Sequence, residues 1–217
     1  MKSPAFLSGR LGLAGLAAVA GLVACGGDSS VSVTAPHSVI PTTPPGAALA
    51  IVRGDTAGSG TTFFNATGQG FVLLSPDGDA PMTVVHVADN TRGRRAPAVN
   101  EFVTLRYDRT TAQTVVPLTS AVAGSYQTLV GGRPARFVVA ADGAITAGST
   151  DCKLSGRIEL ATLYGGAQAV TLQSANCGTV ANGTFSGVVF TGADTAPAAW
   201  QLVAENGASV LDVLVYR

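Results

Sequence analysis

The chain of 217 residues is poor in charge, with 12% Asp, Glu, Lys and Arg, and poor in chemically versatile side chains: two histidines, three cysteines and one tryptophan. Acidic and basic residues number 13 each, so no positive surplus recommends a nucleic-acid partner, whose phosphates demand clustered cations. No segment sustains a helical period between recognisable caps, and no Gly-x-Ser-x-Gly elbow is present. So few charges leave Thr, Ser, Asn, Gln and Gly to build most of the surface, as in extracytoplasmic β proteins.

What is present begins at the amino terminus. Lys2 and Arg10 bracket a basic start, and the uncharged run Leu11 to Ala24 has the length of a signal-peptide core but is too short to cross a bilayer. The tetrad Leu22-Val23-Ala24-Cys25 resembles the lipobox of bacterial lipoproteins. That resemblance implies cleavage between Ala24 and Cys25, a diacylglycerol on the Cys25 thiol and a further acyl chain, such as palmitate, on its freed amine. Each buried methylene contributes about 0.8 kcal/mol, so several chains make an effectively permanent anchor. Ordinary cleavage after Ala24 would place the bulky Leu22 where a small residue is wanted. Gly26 follows the cysteine in place of Asp, which by the retention rule of enteric lipoproteins implies the outer membrane, facing periplasm or cell surface. The expected cofactor list is empty apart from the covalent lipid on Cys25.

Removing residues 1–24 leaves 193, enough for one medium domain or two small ones. Lys2 and Arg10 leave with the signal, so 11 of the 13 basic residues then face 13 acidic ones. Assigning Cys25 to lipid leaves Cys152 and Cys177 as an even pair in an oxidising compartment, where a disulfide is expected. Its loop closure should restrict the unfolded chain by roughly 3.5 kcal/mol. The rival is a metal site, which lacks the histidines or further cysteines that would complete four ligands.

Residues 25–46 hold the acylated cysteine and a Ser/Thr/Pro/Gly-rich stretch without periodicity, read as a disordered tether that contains His37. Beyond it, short apolar or alternating runs separated by turn signals predict an all-β chain. In the N-terminal β region, 47–120, strands are expected at Ala48 to Arg53, Thr61 to Ala66, Gly70 to Leu74, Met82 to Val87, Glu101 to Tyr107 and Gln113 to Leu118, with Asn90 to Pro97 as a polar loop. This region either forms a separate domain or extends the sheet that follows.

In the C-terminal region, 121–217, eight strands are expected as an antiparallel meander closing into a small barrel, which removes exposed edges. They are Ser125 to Val130, Arg136 to Ala141, Ala144 to Gly148, Cys152 to Leu160, Gln168 to Ser174, Thr184 to Thr191, Ala198 to Ala204 and Ser209 to Tyr216, with hairpin cues at Asp142-Gly143 and Asn206-Gly207. The clearest alternation sets Cys152, Leu154, Gly156, Ile158 and Leu160 on one face and Lys153, Ser155, Arg157 and Glu159 on the other. Gly124-Ser125-Tyr126, Phe137 to Ile145 and Leu154 to Arg157 resemble the opening hairpins of avidin-like and lipocalin-like barrels. The resemblance implies architecture only, because the tryptophans with which avidin-like proteins surround biotin are reduced here to Trp200.

Candidate chemistry is sparse. His86 with Asp89 and a serine would form a hydrolase triad, against the simpler reading of a hydrogen-bonded or surface histidine. Asp77 and Asp79 flank Gly78 either as turn formers or as cation ligands, and Asp55 and Glu101 are separate carboxylates. Arg92, Arg94 and Arg95 form the densest charge cluster, either a solvated loop or an anion contact for lipid head groups or an acidic partner. Trp200 reads as core, with a pocket role only if it converges with Tyr126 and Phe137 on a cavity.

The expectation is therefore a non-enzymatic, outer-membrane-anchored binding module for a small ligand or an envelope protein. A structural accessory subunit of an envelope complex and a hydrolase inhibitor are the alternatives. An integral outer-membrane barrel is disfavoured by the short strands and the final Tyr216-Arg217.

Overall fold

The computed structural model describes residues 37–217 except 42, 55–57, 78–79 and 193–194. The signal segment, Cys25 and most of the proposed tether lie outside the described residues, as do Asp55 and Asp79. The fold is all-β, and the described residues form sixteen strands in two sheets of eight.

The second sheet follows the meander expected from sequence. It runs β9 (Gly124–Val130), β10 (Arg133–Val139), β11 (Ala144–Ala147), β12 (Lys153–Tyr164), β13 (Ala167–Ala175), β14 (Gly183–Phe190), β15 (Trp200–Glu205) and β16 (Val210–Val215), each antiparallel to the next. Gln127 and Tyr216 exchange backbone hydrogen bonds of 2.8 and 2.9 Å, so the last strand returns to the first and the barrel nearly closes. The turn between β9 and β10 is Gly131-Gly132, both with positive φ (56° and 80°), the conformation a two-residue hairpin requires and side chains resist.

Alternation fixes which side chains fill this barrel. Cys152, Leu154 and Ile158 point inward and are buried, whereas Arg157 and Glu159 are exposed. Tyr126, Phe137 and Trp200 meet at the centre with ring centroids 5.3–6.0 Å apart, none more than 3% exposed. They fill the barrel, together with Phe185, Leu172, Leu202 and their neighbours. Cys152 and Cys177 form the expected disulfide, joining the start of β12 to the end of β13, where Lys153 pairs with Ala175. Arg217 closes over Tyr126, its guanidinium carbon 5.7 Å from the ring centroid and its Nη2 donating to the Ala121 carbonyl at 2.8 Å.

The first sheet is separate from the barrel rather than an extension of it. Its strands are β1 (Ser38–Val39), β2 (Gly46–Arg53), β3 (Gly58–Phe64), β4 (Gln69–Ser75), β5 (Val84–Asp89), β6 (Arg92–Ala96), β7 (Val103–Thr104) and β8 (Arg106–Ala112). The spatial order is β7-β1-β6-β5-β4-β3-β2-β8. Its two edges, β7 and β8, are consecutive in the chain and separated only by Leu105, so the sheet curls round until one bent segment borders both ends.

Four local expectations are corrected here. The Asn90 to Pro97 stretch carries β6, which pairs with β5 and β1 despite its polar composition. Gln113 to Leu118 is not a strand, and only Val116 forms a bridge, to Thr191. The end of the tether is built into the fold: Ser38–Val39 is a strand, and Ile40 is fully buried against Gly93 and its neighbours. That strand pairs in parallel with β7, an exception to the antiparallel pattern.

The curled sheet buries side chains on both faces of its central strands. The inner face gathers Val52, Phe64, Val72, Leu74, Val84 and Leu105. The outer face of β3–β5 sets Phe63, Phe71, Leu73 and Val85 against Ala167, Val188, Phe190 and Val203 on the outside of the barrel. Double-sided burial explains why β4 carries the continuous apolar run Phe71 to Leu74 rather than an alternating one, and why both Thr61 and Thr62 of β3 are buried.

Candidate functional site

A cleft of about 590 Å³ lies between the outer face of the curled sheet and the last hairpin of the barrel. Alternation puts its lining there. On β2, Ala50 and Val52 turn into the sheet's own core while Leu49 and Ile51 turn out, 46% and 45% exposed. On β16, Leu211, Val213 and Val215 enter the barrel and leave Asp212 and Leu214 facing the cleft. Gln201 of β15, opposite Leu214 in register, completes that wall, and Arg109 and Thr111 of β8 stand on the other side.

Asp212 is the chemical centre of the cleft. Its Oδ1 accepts a hydrogen bond from Gln201 Nε2 and its Oδ2 accepts one from the Met82 backbone N–H, both at 2.7 Å. Burial pushes its carboxyl pKa above the ordinary range, against the opposing pull of the Gln201 and Met82 donors. Among the described residues no cationic side chain pairs with it.

A second carboxylate on the same hairpin face is fully engaged. Glu205 is 2% exposed, forms an ion pair with Arg94 of β6 and accepts the Gly207 N–H at 2.6 Å. The Arg94 pKa is raised by this hydrogen bond. Ala98 N–H donates to the Gly207 carbonyl at 2.8 Å beside it. The outward face of β15–β16 is thus held to the curled sheet by apolar contact at Val203 and polar contacts at Glu205 and Asp212.

The residues singled out from sequence are dispersed. Arg92, Arg94 and Arg95 lie on a strand, so neighbours point to opposite sides: Arg94 engages Glu205, and Arg95 donates to the Pro97 carbonyl. His86 lies inside the curled sheet, where its Nδ1 is 2.7 Å from the Ser38 hydroxyl, yet the two residues are 0% and 1% exposed. A hydroxyl beside an imidazole is the nucleophile and base pairing of a hydrolase, but this pair is closed to any substrate carbonyl. Asp89 is exposed on the other face of the same strand. Asp77 sits in a turn whose carbonyl accepts from Ser75, and Glu101 is exposed. Among the described residues no group of three or more His, Cys, Asp or Glu is placed to hold a metal ion. His37, half-buried, meets Phe102 edge-on at 5.0 Å rather than standing in solvent.

Asp212 and Glu205 escaped the sequence reading, although a signal was present. Each is the lone acid of a mostly apolar strand, in Val210–Val215 and Trp200–Glu205. An alternating strand with one acid reads as solvent-facing on that side. Only the second sheet turns that side into an interface. No protein family, curated protein or solved structure matches this chain.

Proposed function

We propose that this protein is a non-enzymatic binding module, anchored by lipid on Cys25 to the outer membrane, that takes a small amphiphilic ligand in the cleft between its sheet and its barrel. The observation that carries the ligand reading is the cleft's lining, in which the exposed Leu49, Ile51 and Leu214 share one recess with Asp212. Binding sites combine apolar walls with a few placed polar groups in this way. The barrel interior, by contrast, is filled with side chains, which favours an external site over the interior site of a ligand-carrying barrel. Support for the anchor is the lipobox-like tetrad Leu22-Val23-Ala24-Cys25. The barrel's polarity agrees with an anchored rather than a membrane-spanning role. Its interior is apolar while Arg136, Arg157 and Glu159 lie outside, the reverse of a barrel that faces lipid.

A second reading, a structural subunit of an envelope complex, is favoured by the apolar side chains left exposed on the barrel, Leu129 at 66% and Val138 at 49%.

Titration of the purified chain with the neutral apolar probe N-phenyl-1-naphthylamine distinguishes them. Saturable binding that falls at least tenfold in the Leu49→Asp/Ile51→Asp variant supports the cleft. Absent or unaltered binding favours the structural subunit. The anchor is tested by labelling cells with alkyne-palmitate: label on the wild-type chain, lost in Cys25→Ala, is expected, and equal labelling contradicts it.

A further inference from the structure

We infer that the ligand of the cleft is an amphiphile with a protonated amine at its head, seated against the Asp212 carboxylate, and an apolar body lying along Leu49, Ile51 and Leu214. This rests on the cleft being a ligand site and assigns that site's chemical class. An ionised carboxylate accepts about four hydrogen bonds, and Asp212 receives two from the protein, so its remaining lone pairs can accept from an ammonium group. The two existing donors, an amide side chain and a backbone N–H, are neutral. They orient the carboxylate without cancelling its charge. Glu205 on the same hairpin face shows the contrast, because Arg94 already supplies its cation. Among the described residues the cleft therefore holds one carboxylate whose charge is unmatched beside an apolar wall, and an ammonium with a hydrocarbon body complements both at once.

Among the described residues Arg109 is the other charged residue lining the cleft, on the curled-sheet side. An anionic head would select Arg109 in place of Asp212, so head-group charge decides between them. Burial that penalises the Asp212 anion is relieved when a cation arrives, and amine binding should strengthen as pH rises through the carboxyl's titration.

The test is calorimetric titration of the full chain carrying Cys25→Ala with octylammonium, octanol and octanoate, all below their aggregation concentrations. The expected result is octylammonium bound at least tenfold more tightly than octanol or octanoate. Asp212→Asn should reduce amine affinity to that of octanol and leave octanol unchanged, and the Leu49→Asp/Ile51→Asp variant should lose octanol. Equal binding of all three ligands, or tightest binding of octanoate with loss in Arg109→Gln, overturns the amine assignment while leaving the cleft a ligand site. Binding of none overturns both.

Discussion

The barrel and the curled sheet have the same number of strands but bury them differently. The barrel has one interior, filled around Tyr126, Phe137 and Trp200, and much of its outer surface meets solvent. The curled sheet has an interior of its own and a second buried face against the barrel. The barrel interior is filled, a recess of about 270 Å³ borders its Tyr126 and Trp200 end, and the larger recess of about 590 Å³ lies where the two sheets meet. On the proposed reading, binding falls at the seam while stability rests in the barrel.

The largest effect on that comparison should come from the barrel core. Trp200→Ala is expected to cost about 3–5 kcal/mol, read by denaturant unfolding, because a large fully buried ring is removed. An equal loss from Leu49→Ala, at the exposed seam, would break the distinction. Next is the disulfide: Cys152→Ser with Cys177→Ser should cost about 2–4 kcal/mol in the same measurement.

Smaller, and specific to the seam, is Arg94→Ala. It leaves Glu205 buried without its cation, but Arg94 itself is 55% exposed, so the loss should be about 1–2 kcal/mol rather than the larger value of a fully buried pair. Hydrogen exchange should report it at β6 and β15 and spare β10–β12. Loss of protection throughout the barrel would show that the two regions unfold as one.

The smallest effect is Asp212→Asn, below about 1 kcal/mol at neutral pH, since Gln201 can reverse its amide to match. Its sign follows from proton linkage. The folded-state pKa of Asp212 is raised, so between the ordinary carboxylate value and the raised one the folded state binds more protons than the unfolded state. Asp212 therefore subtracts stability as pH rises through that window. Comparison of wild type and Asp212→Asn by thermal unfolding from acid to neutral pH should show relative stabilisation of the variant as pH increases; the opposite trend contradicts the assignment.

The contrast also explains what was legible in the sequence. β12 alternates cleanly because one side meets the core and the other meets water, so Leu154 and Ile158 declared their face. β6 did not, since Asn-Thr-Arg-Gly-Arg-Arg has the composition of a loop and becomes a strand through pairing with β5 and with Ser38–Val39. The His86–Ser38 contact spans 48 residues, and the Arg94–Glu205 pair spans 111, distances over which local pattern carries no information. The cleft was illegible for the same reason: Leu49 and Asp212 are solvent-facing positions on their own strands, and only the packing of one sheet on the other makes them neighbours of a common space.

The central claim, that ligand enters the seam and not the barrel, is tested most directly by NMR titration of the full Cys25→Ala chain with octylammonium. The account predicts saturable shifts centred on Leu49, Ile51, Asp212 and Leu214, with the signals of Phe137, Leu172 and Trp200 unmoved. Saturable shifts centred on Phe137, Leu172 and Trp200, with the seam silent, would contradict it.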